Sequence, residues 1–222
     1  MTVPVIAIDG PSGSGKGTIA RRVAEALGYH LLDSGALYRL TAIAANNNSI
    51  ALDDKQAVAR IASKLNVRFD THEDGSEGIW LDDEDVSFEV RRESTGAGAS
   101  TVAAIPEVRE ALLERQRAFR QAPGLVADGR DMGSHVFTSA LLKIFLTASA
   151  GERARRRYKQ LKDKGMDVSL AALSRDIEDR DRRDSERSVA PLRPAPDARI
   201  LDSSGKSIET VAQVILDWVA EL

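Results

Sequence analysis

The sequence predicts an α/β fold: a five-stranded parallel sheet with helices on both faces and a small antiparallel β insert. Three observations predict it. Short apolar runs alternate with segments of helical spacing along most of the 222-residue chain. A Gly-rich turn joins the first apolar run to the first helical segment. Across residues 63–100 that alternation gives way to closely spaced β-like runs, marking an insert between core segments 1–62 and 101–222.

In chain order, residues 3–8 form an apolar run of the kind a buried strand shows. The next stretch is Gly10-Pro11-Ser12-Gly13-Ser14-Gly15-Lys16-Gly17-Thr18. A helix follows, with Ile19, Val23 and Leu27 on one side and Ala20 and Ala24 beside them, and Gly28 is placed to cap its end. Strand, Gly-rich loop and helix form the setting of a phosphate-binding loop. Its glycines let successive N–H groups point inward, the helix N-terminus adds partial positive charge, and Lys16 adds a full one. The usual pattern has Ser or Thr directly after the lysine, to hold Mg²⁺. Here Gly17 intervenes before Thr18, so the metal is expected to be held more through water and phosphate oxygens. The bland alternative is a turn that merely joins strand to helix.

Residues 29–33 read as a second strand, and 36–46 as a helix. Ser34 suits an N-cap, a ligand contact, or both. Arg39 is either a solvated helix charge or close enough to the strand ends to reach a ligand. Residues 53–65 look helical; 67–69, 79–81 and Val86 are short β-like runs, with turns at Asp74-Gly75 and Asp82-Asp83. Residues 96–100 are small and read as a hinge or ligand-facing stretch. Pro106 opens a helix to 121, with Arg109 near its start. Strands are expected at 125–127, 141–146 and 199–201, and a closing amphipathic helix at 207–222. In such a sheet ligands bind at the carboxyl ends of the strands. Ser34, Arg39, Asp128, Arg130 and Asp131 all fall at such ends.

Composition sets outer bounds. Hydrophobic residues make up 42% and charged residues 29%, ordinary for a soluble protein with an aliphatic core. A net charge of −3 argues against a nucleic-acid partner. The absence of cysteine excludes disulfides and points to a reducing cytoplasm. The first nine residues lack the basic and apolar pattern of a signal peptide, and no apolar run is long enough to span a bilayer, so no membrane partner is expected.

Two segments are rich in arginine. In the first, 152–164, Arg153, Arg156 and Arg157 share a helix face; in the second, 174–187, Arg180, Arg183, Asp184 and Arg187 do. Gly165-Met166-Asp167 separates them, making a helical hairpin, the lid of about residues 152–187. Solvated charged helices, a nucleic-acid patch, and an arginine lid over a polyphosphate compete as explanations. The phosphate-binding loop favours the last, because positioned Arg and Lys stabilise charge on a moving phosphoryl group. A second cationic set, Arg39, Arg109 and Arg130, lies apart from Lys16 and favours transfer between two phosphorylated ligands. No Asn-Lys-x-Asp guanine-reading motif is present.

The stretches Ile8-Asp9 with the loop 10–18, Leu31-Leu32-Asp33-Ser34-Gly35-Ala36-Leu37-Tyr38-Arg39, Asp128-Gly129-Arg130-Asp131-Met132-Gly133 and Ser188-Val189-Ala190-Pro191-Leu192 resemble those of bacterial cytidylate kinases, in the nucleoside monophosphate kinase family. The resemblance covers nearly the whole chain, insert included. It implies a P-loop kinase core that transfers phosphate from ATP, with Mg²⁺, to CMP or dCMP in pyrimidine metabolism. ATP would sit on Gly10 to Thr18, and 63–100 would be the monophosphate-binding insert. Ser34, Arg39, Ser100, Arg109, Arg130, Asp131, Arg180, Asp184 and Arg187 would surround the monophosphate. Arg39 and Arg130 would hold its phosphate, and Ser100, Arg109 and Asp131 would read the pyrimidine. Arg180 and Asp184 would approach the sugar, with Arg187 near the acceptor; Lys16, Arg39, Arg130 and Arg187 would carry the transfer. Asp184 also suits a plain helix ion pair with Arg180, and Asp128 suits the metal's outer shell. The expected protein is a cytoplasmic monomer acting on small nucleotides. The rivals are a kinase for UMP or AMP, and a non-enzymatic nucleotide switch or nucleic-acid-binding module.

Overall fold

The computed structural model describes residues 2–72, 77–163 and 165–222, apart from the side chains of Thr71 and Glu77. The expected Asp74-Gly75 turn and Lys164 lie outside the described residues. The strands are β1 (Val5–Asp9), β2 (His30–Asp33), β3 (Val67–Thr71), β4 (Glu77–Leu81), β5 (Glu84–Asp85), β6 (Leu125–Gly129), β7 (Leu142–Thr147) and β8 (Arg199–Asp202). The α-helices are α1 (Lys16–Leu27), α2 (Ser34–Asn47), α3 (Lys55–Ser63), α4 (Ser87–Val90), α5 (Glu93–Val102), α6 (Pro106–Ala118), α7 (Ala150–Asp163), α8 (Leu170–Ser185) and α9 (Ile208–Ala220). A π-helical turn spans Met132–Val136. The chain divides into two compact units, Met1–Asp33 with Gln116–Leu222, and Ser34–Arg115.

The first unit holds the five-stranded parallel sheet, in the order β2-β6-β1-β7-β8. β1 lies in the middle, and all five of its residues are buried. A strand covered on both faces needs the continuous apolar run the sequence shows there. Ile6, Ile8, Val126, Ile144 and Leu146 of the sheet pack with Ile19 and Val23 of α1 and Val211 and Ile215 of α9. Gly28 ends α1 at φ 64, and Tyr29 N–H returns to the Ala24 carbonyl at 2.9 Å. This is the left-handed cap the sequence calls for. α7 and α8 pack together as the expected helical hairpin.

The second unit carries the antiparallel sheet β3-β4-β5. Asp82 and Asp83 join β4 to β5 at φ 49 and 65, the backbone of a type I′ turn. Two expectations are corrected here. Ser34 is the first residue of α2 rather than a cap outside it, and it is buried. Residues 96–100 are not a flexible stretch but part of α5. Their small size serves packing: a Cβ on Gly96 would lie 3.0 Å from an Arg39 guanidinium nitrogen, and one on Gly98 3.2 Å from Ala42 and Leu52. Glycine's usual helix penalty is outweighed by this close approach.

Asp54 caps α3 by accepting the Ala57 N–H at 3.0 Å. Replacing it with Ala leaves that donor without its side-chain acceptor. The expected cost is about 1 kcal/mol, read as a fall of a few degrees in a thermal melt.

Candidate active site

The phosphate-binding loop leaves the carboxyl end of the central strand. Gly10, Gly13 and Gly15 lie at φ 153, 76 and 91. A Cβ on Gly10 would stand 2.0 Å from the Leu146 carbonyl oxygen, so no larger residue fits. The Ser12 carbonyl accepts from Arg153 at 3.0 Å, and the Ser14 carbonyl from Arg156 at 3.4 Å and Ser203 Oγ at 3.1 Å. A planar trans peptide points its N–H opposite its C=O. The N–H groups of Gly13 and Gly15 are therefore turned away from these donors, as a phosphate cradle requires.

Lys16 is buried, donates to the Pro11 carbonyl at 3.1 Å and lies 3.9 Å from Asp128 Oδ1. Burial, with repulsion from Arg130 next, brings its ammonium down to about 8 against the pull of Asp128. Burial raises Asp128 to about 6, with Lys16 opposing. Asp128 also explains Gly17: a Cβ there would lie 3.3 Å from Asp128 Oδ2. A side chain at 17 would have to move that carboxylate back by a few tenths of an ångström.

Beside β1, β6 ends with Gly129 opposite Asp9, and Arg130 follows. Arg130 Nε donates to Asp184 Oδ2 at 3.0 Å, and Arg187 donates to the other carboxylate oxygen. Burial pushes the Asp184 carboxyl upward, but Arg130, Arg187 and Arg180 outweigh it and leave it below the usual range. Asp184 thus binds more than one arginine and is no simple partner of Arg180. Asp131 is buried in the same unit. The first unit brings Lys16, Asp128, Arg130, Arg180, Asp184 and Arg187 into one electrostatic cluster.

The second unit holds Ser34, Arg39, Ser100 and Arg109. Arg39 is half-buried and donates to the carbonyls of Val90 at 2.9 Å and Arg92 at 3.2 Å. It is not the solvated helix charge that was one alternative. Ser100 is buried, and its Oγ has no hydrogen-bond partner among the described residues. Arg109 is buried, donates to the Ala103 carbonyl at 3.4 Å and lies 5.7 Å from the Tyr38 ring centre.

A family model described as Cytidylate kinase matches residues 6–221. The chain belongs to the cytidylate kinase family. A relative named cytidylate kinase from Pseudomonas aeruginosa (strain UCBPP-PA14) is 60% identical over 216 residues, 96% of this chain and 94% of the relative. Another, from Stutzerimonas stutzeri (strain A1501), is 60% identical over 220 residues, 99% of this chain and 96% of the relative. A solved structure of an uncharacterized protein from Eubacterium ventriosum matches with a TM-score of 0.50 at 13% identity, covering 99% of each chain. That likeness concerns the fold alone.

Within this cytidylate kinase fold, several residues make contacts that sequence reasoning did not assign to them. Arg153 is buried and donates to the Ala148 and Ser12 carbonyls and to both carboxylate oxygens of Asp181. Arg156 donates to Glu152, to the Ser203 carbonyl at 2.6 Å and to Ser203 Oγ. Both arginines thereby clasp the loop's carbonyl side from α7. Asp9 accepts the N–H groups of Met132 and Gly133 at 2.7 and 2.8 Å. Ser203 carried no sequence signal, whereas Asp9 stood in plain view before the loop.

Proposed function

We propose that this chain transfers the γ-phosphoryl group of ATP to CMP or dCMP, giving ADP and CDP or dCDP. Family membership supports the reaction, and one structural observation carries its layout. A lysine-bearing phosphate loop and an arginine cluster end two adjacent parallel strands, β1 and β6, within a single unit. The residues 10–18 cradle the donor phosphates through backbone N–H groups, with Lys16 at the bridging and terminal phosphates. Arg130 and Arg187, with Arg39, hold the acceptor phosphate through forked, charge-assisted bonds. Ser34, Ser100, Arg109 and Asp131 meet the monophosphate's polar edges, and Arg180 and Asp184 its sugar. These roles rest on motif position and residue chemistry, as does the assignment of 63–100 to monophosphate binding. The unpartnered Ser100 hydroxyl has the capacity such a contact needs.

The acceptor is already an anionic oxygen, so no general base is needed. Catalysis is then positioning and charge stabilisation in line with the transferred group. Mg²⁺ would enter with the ATP substrate and supply neutralisation of its phosphate charge. Thr18 and Asp128 are the loop-side oxygen groups that its water shell would meet. We propose a monomer acting in the cytoplasm, where nucleoside monophosphates and ATP are available. No helix among the described residues is long and apolar enough to cross a membrane.

Coupled assays with ATP and each nucleoside monophosphate test the proposal. CMP and dCMP are expected to yield ADP far faster than UMP or AMP. Preference for UMP or AMP would reassign the acceptor, and nucleotide binding without ADP formation would make the protein a switch or binding module.

The lowered Lys16 ammonium also predicts a pH profile. The positive form binds phosphate and is lost as pH rises through about 8 in the free protein. The ratio kcat/KM for ATP should therefore fall above that pH. A profile flat to pH 10 would show Lys16 to be an ordinary ammonium.

A further inference from the structure

Asp9 takes no part in the transfer just described, yet it joins its two halves. It is the last residue of β1, next to Gly10, and is only 4% exposed. One carboxylate oxygen accepts the Met132 N–H at 2.7 Å, and the other accepts the Gly133 N–H at 2.8 Å. Those donors open the π-helical turn that follows Arg130 and Asp131. The segment between β6 and that turn is thus fastened twice. The β1–β6 ladder holds its start, where Gly129 pairs with Asp9, and the Asp9 side chain holds its end.

Arg130 and Asp131 ride on that short span. A neutral side chain would suffice to fill the space under it. Instead the site keeps a carboxylate near those of Asp131 and Asp128, and burial pushes it up to about 7 even though both N–H bonds favour its charge. Keeping an ionisable group in such surroundings works against stability.

We propose that Asp9 is a positioning residue for the acceptor arm: by holding the Met132 and Gly133 N–H groups, it sets the direction of Arg130 and Asp131. It acts through the turn rather than on either nucleotide. The inference rests on the reading that Arg130 and Asp131 serve the monophosphate.

The test is steady-state kinetics of Asp9→Asn and Asp9→Ala, varying CMP and ATP separately, with thermal melts of each. Asn keeps the shape and one acceptor oxygen but sets an amide N–H₂ against the second backbone donor. KM for CMP is expected to rise about tenfold or more, since a misplacement near 1 Å has effects of that size or larger. KM for ATP should stay within about twofold. The root of the donor loop is held by backbone ladders on both sides, Asp9 pairing with Gly129 and with Phe145. Asp9→Asn should melt close to the wild type, because it removes a buried charge as well as a bond. Asp9→Ala should show a larger CMP effect, and if it fails to fold, Asp9→Asn decides. A lowered melting temperature with both KM values unchanged would make Asp9 a structural cap and overturn the inference. A parallel rise in KM for ATP and CMP would overturn it too, by showing that the donor loop had moved. Failure of the wild type to phosphorylate CMP would overturn the functional reading and this inference with it, whereas an active wild type with an unmoved Asp9→Asn overturns the inference alone.

Discussion

Lys16→Ala lowers kcat by about a thousandfold or more, while the far-UV circular dichroism spectrum stays that of the wild type. The magnitude follows from what the ammonium faces. It is buried at the start of α1, where the helix dipole and the loop's N–H groups already favour anions. In such a dry site one positioned charge on a moving phosphoryl group counts for several kcal/mol. The fold survives for a separate reason. Removing Lys16 leaves Asp128 still facing the Arg130 guanidinium, so the carboxylate is not stranded. The β1 ladders to β6 and β7 are backbone interactions and stay in place. Lys16→Met, which keeps the stem, should be as inactive as Lys16→Ala and no less stable. Activity near that of the wild type in either variant would remove the loop from the donor role.

What could be read from the sequence was local. The loop 10–18 was legible because its strand, glycines, lysine and helix are contiguous, and its physics needs nothing from the rest of the chain. The fold class was legible because periodicity switches visibly between strands and helices. Strand order was not, since the central strand pairs with segments more than a hundred residues away. The same limit hid part of the site. Asp9 and its N–H donors are 123 and 124 residues apart, and Arg153 and Arg156 are 141 and 142 residues from the loop carbonyls they bind. From sequence the arginine-rich segment 152–164 offered solvated charge, a nucleic-acid patch or a lid over phosphate. Folding uses two of its arginines as braces for the carbonyl side of the loop 10–18.

The hinge reading of 96–100, which the structure replaces with a helix, carries the complementary lesson. Small residues signal freedom in isolation, but next to Arg39, Ala42 and Leu52 they are what lets two helices approach. That approach also fixes Arg39, whose guanidinium is drawn to the carbonyls of Val90 and Arg92. Gly17 shows a third form of the same limit. As a departure from a motif it pointed to a metal held more through water and phosphate oxygens, and in space it leaves the Asp128 carboxylate undisturbed.

Arg130→Ala carries the second large effect: kcat/KM for CMP falls by about a hundredfold to several thousandfold, and KM for ATP moves by less than about threefold. Arg130 binds Asp184 through Nε at 3.0 Å and the Gly129 carbonyl through Nη1 at 3.2 Å, so its guanidinium is held at two points. Losing a charged partner in a buried pair typically costs about 3–5 kcal/mol, the range that sets the expected fold-change. Part of that loss is indirect. Asp184 is 1% exposed and keeps Arg187, so it remains partnered, but Arg187 is then drawn toward a carboxylate with one fewer cation to satisfy it. Arg130→Lys separates the two contributions. A lysine restores the charge but not the fork, so it should recover stability more fully than it recovers KM for CMP. Donor and acceptor kinetics measured across both variants decide the matter. If KM for ATP rises while KM for CMP holds, Arg130 serves the donor, and the division of labour between the ends of β1 and β6 is reversed.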